Sequence, residues 1–167
     1  ILWSRIWPGQ QVGLGELVTG GNDAIYLSGS VGPSISVGQA DLDPGDSTFF
    51  IEPGPYSAVT STKFLMKMSS AGSFEWAKRA DYSDDYDLNP PTNSMIGDSH
   101  GCLLLLHGDP TIVRRFSSEG DKVWEWAIGV GVHSIAQYGE YDYVLRCENL
   151  SSTDIDPGVG ATVIDPG

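Results

Sequence analysis

Apolar residues along this chain fall in short alternating runs separated by glycine, proline, asparagine and aspartate. Residues 63–72 have the sequence Lys-Phe-Leu-Met-Lys-Met-Ser-Ser-Ala-Gly, and residues 111–120 have Thr-Ile-Val-Arg-Arg-Phe-Ser-Ser-Glu-Gly. A tryptophan follows four residues after each glycine, at Trp76 and Trp124. An alternating run, a glycine turn and a second run predict a β-hairpin. We therefore predict two hairpins of one repeat, 48 residues apart (72 to 120).

A further apolar run precedes each hairpin and also occurs near the end of the chain. These runs cover residues 24–29, 101–106 and 141–146 and predict buried strands, the middle one apolar on both faces. Residues 2–6 match the second strand of an earlier hairpin, so we expect the chain to open inside a unit. Each unit then has a Trp strand, a polar connection, an apolar strand and a hairpin strand, with almost no α-helix.

A second repeat is the motif Asp-x-Asp-Pro-Gly, which occurs at Asp41–Gly45 and again at Asp154–Gly158. Approximate units of the single repeat region 1–167 are 1–75, 76–123 and an incomplete 124–167. Four short strands in about 40 to 50 residues is the size of one propeller blade. We predict an all-β fold of consecutive four-stranded antiparallel propeller blades that form a partial or incomplete propeller.

Composition and charge limit the function classes. Lys and Arg total 9 against 22 Asp and Glu, which gives a formal charge of -13. This charge disfavours nucleic acid and anionic membrane surfaces as partners and suits a soluble, salty, extracellular setting. The chain also has no apolar run of the roughly 18 residues that a membrane-spanning helix needs.

The Asp-x-Asp-Pro-Gly motif, taken together with residues 63–78 that end in Trp-Ala-Lys, resembles the bacterial seven-bladed β-propeller repeat known as SBBP. The resemblance is best over 41–78, partial over 111–127, and recurs at 154–167. It implies part of a large secreted or cell-surface protein. We expect a non-catalytic structural or adhesive module, with a carbohydrate-binding, lectin-like propeller as the alternative and a glycoside-cleaving propeller as a third. The partners expected are other chain segments or protein subunits at open blade faces, or carbohydrate.

The repeated motif also predicts a metal site. Alternate carboxylates on a turn place oxygen ligands on one side of a loop, as calcium requires, so Asp41 with Asp43, and Asp154 with Asp156, are candidate Ca²⁺ ligands. The alternative is a plain turn in which Asp accepts backbone hydrogen bonds, Pro presets φ and Gly takes a positive φ.

Other chemical candidates have similarly open alternatives. The acidic stretch 81–87 predicts an exposed loop that binds a cation or a sugar, or is simply solvated. The tryptophans at the repeated strand position are expected in the core, whereas Trp7 and Trp126 are freer candidates for sugar stacking. Cys102 and Cys147 lack the paired spacing of a zinc site and are expected to be buried and reduced.

Overall fold

The computed structural model describes residues 4, 12–32, 40–51, 61–80, 92–98, 100–106, 111–128, 131–138, 142–148, 153–154 and 163–164. Within these residues the chain is mostly antiparallel β-sheet, and its one helical segment is a single 3-10 turn at Gly21–Asp23. None of the described residues forms a helix with the length and hydrophobicity that a membrane crossing demands. The strands are β1 (Val12–Thr19), β2 (Ile25–Val31), β3 (Thr62–Met68), β4 (Phe74–Arg79), β5 (Thr92–Asp98), β6 (Gly101–Leu106), β7 (Thr111–Ser117), β8 (Lys122–Ile128), β9 (Gly131–Tyr138), β10 (Asp142–Glu148), β11 (Thr153–Asp154) and β12 (Val163–Ile164). The all-β prediction is confirmed for this part of the chain.

The strands form two four-stranded sheets and two pairs. Sheet 1 has the order β1-β2-β3-β4 and sheet 2 the order β5-β6-β7-β8, each antiparallel and connected in sequence order. Strands β9 and β10 pair antiparallel, as do β11 and β12. A Trp strand is therefore the last strand of each sheet. The predicted units 1–75, 76–123 and 124–167 place the Trp strands at or near the start of a unit rather than at the end of a sheet. This division stays a prediction.

The two predicted hairpins are present as β3–β4 and β7–β8. Their turn glycines have nearly the same positive φ, 76° at Gly72 and 78° at Gly120, a conformation that other residues adopt at a cost. Both hairpins also carry a register shift at the same repeat position, after Lys67 and after Arg115. The predicted apolar strands are present as β2, β6 and β10.

The segments expected to be polar connections contain β1, β5 and β9, and in this respect the prediction was wrong. Their glycines hid the strand signal, because glycine is depleted in strands. The structure explains one of these glycines by a close approach of two backbones. A Cβ atom on Gly97 of β5 would collide with the carbonyl oxygen of Thr19, at the end of β1. Glycine here allows β1 and β5 to lie in contact, and β5 in turn contacts β9.

The hydrophobic core has two parts, one on each face of sheet 1. The first lies between sheets 1 and 2 and combines Tyr26 and Leu65 of sheet 1 with Ile112 and Phe116 of sheet 2. The second lies on the opposite face of sheet 1, where Leu42 and other apolar residues of the segment 40–51 pack. The first Asp-x-Asp-Pro-Gly motif thus belongs to a segment that covers sheet 1.

Candidate functional site at the sheet contacts

Trp76 joins the two sheets. It lies on β4 and donates a hydrogen bond from Nε1 to the carbonyl oxygen of Ser118, in the β7–β8 turn, at 3.1 Å. Its ring packs against Tyr26 with centroids 6.1 Å apart. The ring also covers Gly120, where an added Cβ would lie 2.8 Å from Cη2 of the indole. Sheet 1 therefore holds the turn of sheet 2 through shape, an aromatic contact and one hydrogen bond.

Charged side chains reinforce the same contact. Lys78 forms an ion pair with Asp121 at 2.5 Å, but both side chains are exposed enough that this pair contributes little stability. Arg114 is buried, and its Nη1 donates to the carbonyl oxygen of Ala80 on sheet 1 while its Nε donates to Glu125 at 2.5 Å. The planar guanidinium suits this role because it can bond to two partners at once.

A second cluster links sheet 2 to the β9–β10 pair. Asp98 ends β5 and is buried, with its carboxylate between Arg115 of β7 and Tyr143 of β10. Arg115 donates from Nη2 to Oδ1 at 2.7 Å, and its Nη1 lies 2.7 Å from Oδ2 without hydrogen-bond geometry. The Tyr143 hydroxyl donates to Oδ2 at 2.9 Å, and the His100 N–H donates to Oδ1 at 2.7 Å. One carboxylate thus connects three strands and a turn.

The protonation states of this cluster are fixed at neutral pH. Burial alone would raise the pKa of Asp98, but hydrogen bonds from Arg115, His100 and Tyr143 together lower it. Burial and the hydrogen bond to Asp98 raise the pKa of Tyr143 to about 12. The carboxylate and guanidinium therefore stay charged and the phenol stays neutral. This arrangement suits a structural cross-link better than proton transfer, for which a group needs a pKa near the working pH.

Two other buried groups lie at the sheet contacts. Burial raises the pKa of the Cys102 thiol to about 12, so this free cysteine stays a thiol and is a poor nucleophile. Glu16 lies on β1, and its buried Oε2 has no hydrogen-bond partner among the residues that the structure describes. Burial raises the pKa of Glu16, against the opposing effect of a backbone hydrogen bond from Met95 of β5. The side chain of Cys147 lies outside the described set.

The repeated tryptophans differ in exposure, which corrects the expectation that both lie in the core. Trp76 is half-buried at the sheet contact, whereas Trp124 is 37% exposed. Among the described residues, none covers Trp124 as the β7–β8 turn covers Trp76. Trp126, expected to be freer, is half-buried. Trp3 and Trp7 lie outside the described residues, as does the acidic stretch 81–87.

The Asp-x-Asp-Pro-Gly motif forms a hydrogen-bonded turn. Oδ1 of Asp41 accepts from the backbone N–H of Asp43 at 3.0 Å and from that of Phe49 at 2.7 Å. Oδ1 of Asp43 accepts from the N–H of Gly45 at 2.8 Å. These bonds match the turn alternative in its aspartates and hold both carboxylates on one loop. The expectation that the glycine takes a positive φ was wrong for Gly45, which lies outside the left-handed region.

One backbone pairing of the first motif recurs at the second copy, of which only Asp154 is described. Asp41 pairs with Phe50 in an antiparallel bridge, and 113 residues later Asp154 pairs with Val163 in the β11–β12 pair. Asp156 lies outside the described residues. Within the part of the chain that the structure describes, no three His, Cys, Asp or Glu side chains come together as a metal site. Calcium binding at either copy stays a prediction.

Comparison of the chain with models of protein families, with curated proteins and with solved structures found no match. The resemblance to the propeller repeat therefore stays a prediction that rests on the motifs themselves. Sequence reasoning missed the Asp98 cluster, because its three side chains are far apart along the chain and share no motif. The local signal was Asp98 itself, because an aspartate side chain at a turn readily accepts a hydrogen bond from the backbone N–H two residues later, here that of His100.

Proposed function

We propose that this chain is a non-catalytic structural or adhesive module of an extracellular or cell-surface protein, built from consecutive propeller-type blades. The observation that carries the proposal is the way each sheet is held to the next by its own side chains. Trp76 fixes the β7–β8 turn to sheet 1, and Asp98 fixes Tyr143 of β10 to sheet 2.

The arrangement of first strands supports the blade interpretation. Strands β1, β5 and β9 are the first strands of sheet 1, sheet 2 and the β9–β10 pair, and β1 contacts β5 while β5 contacts β9. In a propeller the blades are arranged radially, so equivalent strands of neighbouring blades come close near the axis. The glycine at position 97 is consistent with such a close approach, because it removes the side chain at the contact.

The use of the buried polar groups supports a structural role. Asp98, Arg114 and Arg115 are buried, and each makes contacts that hold two elements together. Buried charges are costly unless they are paired and hydrogen-bonded. Pairing them across neighbouring elements suits a protein that keeps its sheets in one fixed arrangement. The acidic charge of -13 supports an extracellular setting through solubility.

Equilibrium unfolding in denaturant tests the proposal. A module whose sheets are held together by buried contacts should unfold in one transition, with coincident curves from tryptophan fluorescence and far-ultraviolet circular dichroism. Separate transitions would show that the sheets are independent units and would contradict a rigid scaffold. Turnover of a glycoside by the purified chain, lost on replacing a carboxylate, would contradict the non-catalytic assignment.

A further inference from the structure

Within the described residues, no turn covers the surface of sheet 2 that corresponds to the Trp76 contact. Trp124 lies 48 residues after Trp76 at the same repeat position, and each is directly opposite a basic residue, Lys67 for Trp76 and Arg115 for Trp124. The turn of sheet 2 covers Trp76, yet Trp124 is 37% exposed. Among the described residues, Trp124 of sheet 2 thus occupies the same strand position as Trp76 but is not covered by a turn like the β7–β8 turn that covers Trp76.

The edge of β10 points to the same missing element. In sheet 1, β2 pairs with β1 and β3, and in sheet 2, β6 pairs with β5 and β7. Strand β10 is the equivalent second strand after β9, but within the described residues it pairs with β9 alone. An edge of unpaired backbone groups is a template for another strand. Tyr143 and the contact of β9 with β5 fix this edge beside sheet 2.

We propose that the free edge of β10 and the exposed face of Trp124 together bind one β-hairpin from a further repeat of the same protein. The first strand of that hairpin pairs antiparallel with β10, as β3 pairs with β2 and β7 with β6. Its turn lies on Trp124, with a backbone carbonyl that accepts from Nε1 and a positive-φ glycine beneath the ring. The inference rests on the proposed function, because the contact between sheets 1 and 2 is its template.

The chemistry of this surface limits which hairpin turns can bind there. The glycine is required because a Cβ at the template position would lie 2.8 Å from the indole of Trp76. The position of Lys78, which pairs with Asp121 across the template contact, is taken by Trp126 in sheet 2. Arg115 is already paired with Asp98. The surface therefore offers aromatic contacts and strand pairing, and the incoming turn needs no acidic residue at the position of Asp121.

Nuclear magnetic resonance of the full, ¹⁵N-labelled chain tests this proposal. The probe is an unlabelled synthetic peptide with the sequence of residues 111–128, whose ends are joined by a disulfide between added cysteines so that it stays a hairpin. We expect the Trp124 indole N–H signal, assigned with Trp124→Phe, to shift and its solvent exchange to slow by about tenfold or more. Alternate backbone amides of β10 should also gain protection.

Matched controls distinguish this contact from nonspecific binding of the peptide. The peptide carrying Gly120→Val should not bind, because its turn cannot take a positive φ beneath an indole. The chain variant Trp124→Ala should lose the response. Val123→Ala should keep it, because Val123 is 60% exposed and lies at the register shift of β8, where it is not paired with a residue of β7.

Three results would decide against the proposal. No shift of Trp124 at about 1 mM peptide, the effective concentration that a short linker provides, overturns it. A response to oligosaccharides but not to the peptide overturns it in favour of sugar stacking. If the Trp76 indole N–H exchanges with solvent as freely as that of Trp124, the contact between the sheets is contradicted, and with it the proposed function itself. If the Trp76 indole N–H is protected but the Trp124 signal does not respond to the peptide, this inference alone is overturned.

Discussion

Replacing Trp76 with alanine should destabilise the whole chain, and the structure sets the size of the effect. Emptying a fully buried aromatic site costs about 3–5 kcal/mol, and the half-buried Trp76 should lose somewhat less. The lost hydrogen bond to Ser118 adds about 1 kcal/mol. We therefore expect a free energy of unfolding lower by about 2–4 kcal/mol, which in a chain of this size lowers the melting temperature by roughly 5–15 °C.

The repeat supplies a matched control for this experiment. Trp124→Ala removes the same side chain from the equivalent strand position, where the indole is 37% exposed, and should cost less than Trp76→Ala by at least the hydrogen bond to Ser118, about 1 kcal/mol. Denaturant titration of both variants and the parent chain, read by circular dichroism, measures the difference. Equal losses from the two variants would refute this reasoning, because the extra cost at Trp76 comes from its contact with the β7–β8 turn of sheet 2.

Other perturbations test other contacts. Asp98→Asn leaves Arg115 buried without its charge partner and should cost about 3–5 kcal/mol near neutral pH. The folded protein lowers the pKa of Asp98, so the contribution of this carboxylate to stability is present above its ordinary pKa of about 3.9 and is lost as pH falls through the folded value. In acid titration, the variant should therefore show a shallower loss of stability between about pH 5 and 2. Gly97→Ala should lower the melting temperature, because its Cβ meets the Thr19 carbonyl, and an unchanged melting curve would disprove the close approach of β1 and β5. If the Asp-x-Asp-Pro-Gly turns bind calcium, the melting temperature should rise with calcium and fall with a chelator, and Asp43→Asn should weaken the effect; indifference to calcium would leave the motif as a turn.

Local patterns predicted the hairpins well, because a hairpin is specified by neighbouring residues. Alternation, a Ser-Ser-x-Gly turn and the following tryptophan were enough to place β3–β4 and β7–β8, and the apolar runs placed β2, β6 and β10. The first strands were missed because glycine and polar residues interrupt their apolar pattern, and at one of them close backbone contact requires the glycine. Gly97 is an example: the need for a glycine there comes from Thr19, a residue that local sequence does not bring near it.

The candidate site was less accessible to sequence reasoning. The Asp98 cluster depends on the packing of β10 against sheet 2, which places Tyr143 beside a carboxylate 45 residues earlier in the chain. The burial of Trp76 and the exposure of Trp124 could not be distinguished from their shared motif, because the difference comes from what lies opposite each indole. Repeats predict equivalent positions, whereas the environment of each copy depends on its neighbour.

Native-state hydrogen exchange in the Trp76→Ala variant tests most directly whether the sheets form one module. Amides in β3 report on sheet 1 and amides in β7 report on sheet 2, and each set measures the free energy of opening of its own sheet. If the sheets are held together as proposed, the substitution in sheet 1 should lower the opening free energies of both sets by similar amounts. Loss of protection in β3 with unchanged protection in β7 would contradict the account, because it would show that sheet 2 does not depend on its contact with Trp76.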